Sequence, residues 1–343
     1  MNAQVTNLNV NPSQVNYNEM EMKPLGEVLK NIDLPDGAKA MQVPVRKHKH
    51  EAVPDLNPLY FPNKKIAMMA VNWWFAQANC YKPLHCWGES GAGKSELARW
   101  LCACFNEPMF QLTFHGQMRV QSVEGYSILV EEGAGVITRH IESDLMQAYE
   151  HGGMFVADEL DKANPDVTSH LHDICDGKPH TTEKGKTIVR HKQFRLMSTG
   201  NTNGNGSTRY TTCMPWDAAL RLRFAFLVHP YPEMENEIAI LKAISPIIDL
   251  AGRKLMVQVA NFIRELASPD IDSVSSPFGV RNTVDWYKYC LVFGEAATLK
   301  NALDFTYLNG LEADELEVAN DAIAKKFADA LEKPLSAYLA KKS

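Results

Sequence analysis

Apolar and polar positions follow two rhythms along this chain. Between residues 64 and 228, short apolar runs alternate with stretches of helical spacing; from Glu233 onward only the helical rhythm remains. The short runs are Pro83–Trp87, Met109–Phe114, Met154–Ala157, Phe194–Thr199 and Ala225–Val228. Their length and apolar character predict buried strands. Lys64–Asn79, Glu96–Cys102, Ser143–Glu150 and Val167–Cys175 predict helices, and Trp73 and Trp74 read as core or interface. Two segments alternate differently. Ile128–His140 predicts a hairpin turning at Glu132-Gly133-Ala134-Gly135, and His180–Lys192 a second turning at Glu183-Lys184-Gly185-Lys186.

Strands alternating with helices predict an α/β fold with a parallel sheet flanked by helices. The helical tail predicts a separate C-terminal lid. The expected division is an N-terminal arm over residues 1–50, an α/β core over 51–230 and a lid over 231–343. Residues 1–40, rich in Asn and with few aromatics, read as extended or partly disordered. Lys47-His48-Lys49-His50 reads as a solvated loop.

Composition narrows the class. A 45% hydrophobic chain of 343 residues can bury a sizeable core. A net charge of −6 argues against a surface built to coat nucleic acid. Seven cysteines scattered through apolar segments point to reduced thiols and a cytoplasmic setting. No segment is long and apolar enough to span a membrane, and the N-terminus lacks the pattern of a signal peptide.

The chemistry concentrates in Gly88-Glu89-Ser90-Gly91-Ala92-Gly93-Lys94-Ser95, which fits the phosphate-loop pattern G-x-x-x-x-G-K-[ST] at every fixed position. Its glycines let backbone N–H groups converge on phosphates. Lys94 adds a charge, and the Ser95 hydroxyl is a Mg²⁺ ligand candidate. A strand candidate precedes the loop and a helix candidate follows it, so a helix N-terminus points at the phosphates. Asp158-Glu159 closes the strand 154–157, where Asp158 is a metal ligand candidate and Glu159 a candidate to orient water. Asn201 follows the strand 194–199 and is a further water-positioning candidate. Arg221 and Arg223 precede the last strand, and an always-charged guanidinium suits phosphate charge in a transition state. Arg281, near the start of a helix in the tail, is a nucleotide contact candidate from the lid.

Together these residues resemble the AAA+ ATPases of the MoxR branch and, within it, the CobS family of cobaltochelatase subunits. The resemblance covers roughly residues 40–290 and includes Val53-Pro54-Asp55, Tyr60-Phe61, Phe155-Val156-Ala157-Asp158-Glu159, Pro165-Asp166-Val167 and Gly200-Asn201-Thr202. It implies ATP and Mg²⁺ as cofactors, with Gly88 to Ser95 as Walker A and Asp158-Glu159 as Walker B. It implies sensor 1 at Asn201, a trans-acting arginine finger at Arg221 or Arg223, and sensor 2 at Arg281. It also implies a homo-oligomeric ring, hexameric in the family, that remodels a partner protein beside a von Willebrand A domain protein. The two hairpins match those that approach the family's central pore. After Asn201-Thr202 the chain departs from the CobS pattern: Asn203-Gly204-Asn205-Gly206 and Arg221-Leu222-Arg223-Phe224 stand where those proteins lead to Asp-Arg-Trp. The departure bears on chelation, not on ATP hydrolysis. The alternative is a nucleic-acid motor of the McrB type, for which Lys184, Lys186, Arg190, His191 and Lys192 supply a basic hairpin.

Overall fold

The computed structural model describes residues 15–132, 135–182, 185–268 and 271–340. By contact density the chain divides into two compact units. The first holds residues up to 57, 64–88 and 94–229; the second holds 58–63, 89–93 and 230 onward.

In the first unit, β1 (Met20–Pro24) pairs antiparallel with β2 (Gln42–Arg46). Then follow α1 (Lys64–Ala76), β3 (Leu84–Trp87), α2 (Lys94–Phe105) and β4 (Met109–Thr113). Next come β5 (Gly125–Glu132), β6 (Gly135–Glu142), α3 (Asp144–His151) and β7 (Gly153–Asp158). The unit ends with β8 (His180–Thr181), β9 (Thr187–Ile188), β10 (Phe194–Gly200), α4 (Ala218–Arg223) and β11 (Ala225–Val228). Five strands form a parallel sheet in the order β11-β3-β10-β7-β4. Phe155, Val156, Leu196 and Met197 on the central strands are buried, as a sheet covered on both faces requires. Trp74 stacks on Phe105 with centroids 4.9 Å apart, tying α1 to α2.

The parallel sheet matches the expected α/β class, and the local differences have local causes. Residues 20–46 are not an extended arm. Leu25, Val28, Leu29, Leu34, Val43 and Val45 are buried, few in number but all spent on packing. His50 is also buried and lies edge-on to Tyr17, whereas Lys47, His48 and Lys49 pair with Glu19 and Asp55. Helix α1 stops at Ala76, where the Gln77 side chain donates to Trp73 O and accepts from Lys82 N. The helix expected over 167–175 is two short ones, Pro165–Ser169 and His172–Asp176. Thr168 and Ser169 turn their hydroxyls back onto the carbonyls of Pro165 and Asp166, competing with the helical ladder.

The first hairpin is longer than expected, with registered pairs from Gly125↔Glu142 to Glu132↔Gly135. The second is shorter, pairing only His180↔Ile188 and Thr181↔Thr187. Beyond Ile188 the chain leaves the ladder: Arg190 lies over the Tyr81 ring at 4.3 Å, and His191 N donates to Tyr149 O. Gly133 and Ala134 of the first turn, Glu183 and Lys184 of the second, and residues 1–14 of the arm lie outside the described residues.

The second unit is helical: α5 (Met234–Ile244), α6 (Leu250–Leu266), α7 (Val280–Phe293), α8 (Leu299–Thr306) and α9 (Ala313–Phe327). On α6 Met256, Val259, Ala260 and Ile263 recur with helical spacing and are fully buried, against Trp286, Tyr287 and Leu303. Asp249 caps α6 by accepting from Gly252 N, and Thr298 with Asn301 forms a capping box on α8. Inside the unit Arg264 meets Glu237 through two hydrogen bonds of 2.7 and 2.8 Å and also donates to Phe278 O.

Candidate active site

The finishing ends of β3, β7 and β10 bring most of the expected residues of the first unit together. Gly88 leaves β3 at φ 155°, where a Cβ would come 2.3 Å from His229 O. Only glycine fits there. Its carbonyl accepts from Lys94 Nζ at 2.8 Å, and the same ammonium donates to Asn201 Oδ1 at 3.1 Å. Ser95, in the first turn of α2, donates from Oγ to Asp158 Oδ1 at 2.7 Å. The Ser198↔Ala157 pairing of β10 with β7 sets Thr199 beside Asp158. Thr199 Oγ1 donates to Asp158 Oδ1 at 2.5 Å and accepts from Glu159 N at 3.0 Å. Gln111 Nε2 on β4 donates to Asp158 Oδ2 at 3.1 Å.

Glu159 has φ 56° and ψ 39°, a left-handed conformation uncommon outside glycine and costly enough to need support. The Thr199 contact supplies part of that support. Lys162 Nζ sits 2.9 Å from Glu159 Oε1. Burial works against the Lys162 charge, but hydrogen bonding to Glu159 and its charge outweigh it, holding the ammonium above the ordinary lysine range. The oxygen set of Ser95 and Asp158 is hard and compact, which fits Mg²⁺.

Beneath Asn201, His85 is wholly buried. Its Nε2–H donates to Thr202 O at 2.8 Å, which leaves Nδ1 to accept from Ser198 Oγ at 2.8 Å. Burial pushes its pKa down to about 4, so the ring is neutral.

The central residues of the loop, Glu89–Gly93, belong to the second unit. Gly91 at φ 73° and Gly93 at φ 101° take backbone conformations that side chains disfavour. Within that unit Gly91 O accepts from Val280 N at 3.1 Å, and Ser90 O accepts from Tyr231 Oη at 3.2 Å. Arg281 is the next residue after Val280, exposed, in the first turn of α7.

The two arginines of α4 differ. Arg223 is engaged: Nε lies 2.9 Å from Asp176 Oδ1, and Nη1 donates to Ala219 O at 2.8 Å. Arg221 Nε is buried with no hydrogen-bond partner among the described residues. Sequence reasoning passed over Thr199, Gln111, Asp161 and Lys162. Nothing distinguishes a Thr or Asp near a strand end until the register shows what lies beside it.

A parallel five-stranded sheet with a phosphate loop after β3 and an acidic pair at the end of β7 defines a nucleotide-site class, and residues 85–224 match the model of the AAA domain, dynein-related subfamily. The chain is similar to aerobic cobaltochelatase subunit CobS of Sinorhizobium sp, 28% identical over 290 residues that cover 81% of this chain and 83% of that protein. It is also similar to von Willebrand factor A domain-containing protein 8 of Mus musculus, 24% identical over 276 residues, 74% of this chain but 14% of that far longer protein. The resemblance read from the motifs, to AAA+ ATPases and to CobS, therefore holds. Among the described residues no helix is long and apolar enough to cross a membrane.

Proposed function

We propose that this chain hydrolyses ATP to ADP and phosphate within a ring, six-membered by resemblance, and spends the energy on remodelling a partner protein. One observation carries the reading: at the finishing ends of the central strands Lys94 reaches Asn201 while Ser95, the next residue, reaches Asp158. Backbone N–H groups of Gly88–Ser95 would receive the phosphates, and Lys94 would turn from the Gly88 and Asn201 oxygens to phosphate oxygens. Ser95 and Asp158 would hold Mg²⁺, which when bound supplies positive charge against the phosphates. Glu159, released from Lys162, would orient the attacking water and accept its proton, with Asn201 fixing the water's position. Arg221 is the better candidate to act on a neighbouring subunit, because Arg223 is already spent on Asp176. Arg281 would add charge beside Gly91.

The similarity to a von Willebrand A domain-containing protein favours a partner of that kind. The nucleic-acid alternative is weaker. Lys186 is held by Glu142 and Glu150, and Arg190 by the Tyr81 ring, so much of the basic hairpin is already engaged. The seven cysteines, free thiols of which six are buried, suit a cytoplasmic setting.

Phosphate release and nucleotide titration test the reading. Lys94→Ala should lose most ATP affinity, and Glu159→Gln should bind ATP but turn over about 10²-fold slower or worse. Near-normal turnover in Glu159→Gln would sink the assigned role. Mixing Arg221→Ala with Lys94→Ala subunits should restore part of the activity if the arginine acts across an interface.

A further inference from the structure

We propose that Asp161, two residues beyond Glu159, is a positioning residue for hydrolysis: it locks the backbone that carries Asn201 in register with Glu159. The inference rests on the reading of the site as an ATPase. Asp161 lies in the tight turn Leu160–Lys162 and has no exposed surface. Its Oδ2 accepts from three donors on one neighbouring segment: Asn201 N at 2.8 Å, Thr202 N at 2.9 Å and Thr202 Oγ1 at 3.0 Å. Its own carbonyl accepts from Met214 N at 2.7 Å. The turn is thus fastened on two sides.

The close approach is built into the sequence. A Cβ on Gly200 would meet Asp161 Cγ at 2.9 Å and His85 Cε1 at 2.8 Å, so a side chain at 200 would push the segment away from the carboxylate. Thr199 makes a second fastening one step earlier on the same strand, to Asp158 and to Glu159 N. The two fastenings bracket Glu159. Asn201, whose Oδ1 reaches Lys94, cannot shift relative to Glu159 without breaking one of them.

Asp161 is a poor choice if stability alone were served. The other oxygen, Oδ1, is buried and meets no nitrogen or oxygen donor among the described residues; the only further donor to the carboxylate among them is the Cys213 thiol, a weak one. A buried carboxylate served so unevenly is costly, and apolar replacements of such groups often stabilise. What the carboxylate provides instead is geometry: one acceptor strong enough to gather three donors and hold two backbone amides at a fixed point. Misplacing a water-orienting group by a fraction of its contact distance is enough to slow a hydrolysis severalfold.

The test is steady-state ATPase kinetics with the full-length chain, beside binding of a fluorescent ATP analogue. Asp161→Asn keeps the shape and one carbonyl acceptor but loses the charge; kcat should fall about 10-fold while KM and analogue affinity stay within about threefold. Thr202→Val removes one donor and leaves the carboxylate; kcat should fall about threefold with KM unchanged. The decisive readout is dependence on background. In Asn201→Ala, Asp161→Asn should add little further loss in kcat, because the group it positions is gone. A merely structural role would add the same loss in both backgrounds, and that result would overturn the proposal. So would wild-type kcat in Asp161→Asn, or, should that variant fail to fold, wild-type kcat in Thr202→Val. A wild-type chain without ATPase activity, or one indifferent to Glu159→Gln, would instead refute the parent reading.

Discussion

The two ends of the parallel sheet both bury charge, and they handle it in opposite ways. At the starting end, Glu107 just before β4 is shared by two guanidiniums: Arg46 at 2.7 Å and Arg195 at 3.5 Å. Arg46 also donates to Tyr17 O and Asn18 Oδ1; Arg195 donates to Trp74 O and Gln193 O and lies 4.0 Å over the Trp74 ring. Cation meets anion there, and other donors go to backbone, the Asn18 side chain and a ring, with Arg46 Nε left without a hydrogen-bond partner among the described residues. At the finishing end the pairing is different. Lys94 donates to the carbonyl oxygens of Gly88 and the Asn201 side chain, among its partners, and Asp158 accepts from two hydroxyls and an amide. Neutral partners exchange for phosphate or metal at lower cost than a carboxylate does. One end of the sheet spends its charges on the fold; at the other, Asp158 rests on neutral donors that a metal can displace, and Glu159 is held by the Lys162 ammonium.

Breaking the starting end should therefore damage stability and spare chemistry. Glu107→Ala leaves two buried guanidiniums without their anion and should cost about 3–5 kcal/mol. Urea unfolding followed by fluorescence measures it. The fraction that remains folded should bind ATP within about twofold of wild type, since nothing in the triad touches the loop. A variant of unchanged stability that lost nucleotide affinity would invert the comparison.

This contrast explains what the sequence could reveal. The finishing end announces itself because its residues stand in fixed spacing: Gly88 to Ser95 by pattern, Asp158-Glu159 by its place after an apolar run. The strands were legible for the same reason, being short, apolar and bounded by turns. Arg46, Glu107 and Arg195 come from three distant segments, each charge looking solvent-facing in isolation. Only the fold brings them together. The ordered strand at Met20–Pro24 was hidden likewise, because the six buried apolar residues that follow it fall in periodic runs of at most three, too short to stand out in a polar stretch. Within the site, Thr199 and Asp161 act through register across β7 and β10, which local sequence does not display. The choice between Arg221 and Arg223 was equally invisible, since the partner Asp176 lies in another helix.

A second way to sharpen the comparison uses pH at the finishing end. His85 is neutral in the fold, with its pKa pushed down to about 4 by burial, whereas in the unfolded chain it titrates near the ordinary 6.5. The unfolded state therefore takes up a proton that the native state refuses. Stability from this site is fully present above pH ~6.5 and falls as pH drops toward ~4, by roughly 3 kcal/mol in all. His85→Gln keeps a donor for Thr202 O but does not titrate. Unfolding free energies of the two proteins, measured from pH 7 to 4, should converge as pH falls. Parallel profiles would mean that the ring is protonated in the fold or reached by solvent.

The smallest effect is expected at Arg223, which tests whether a charge already spent has any catalytic share. Arg223 and Asp176 form a two-point ion pair with side chains about a quarter exposed, 25% and 23%. Pairs this open to solvent contribute little, so Arg223→Ala should cost no more than about 1 kcal/mol of unfolding free energy. Its ATPase rate should stay within about twofold of wild type, because a guanidinium held by a carboxylate has little left to offer a neighbour's phosphates. Arg221→Ala, measured beside it under the same protein concentration, should lose most of the rate with stability unchanged. If the order reverses, with Arg223→Ala inactive and rescued by mixing with Lys94→Ala subunits, then the Asp176 pair is a resting contact that assembly breaks. The finger would be Arg223, and the rule that paired charge is spent charge would fail at this position.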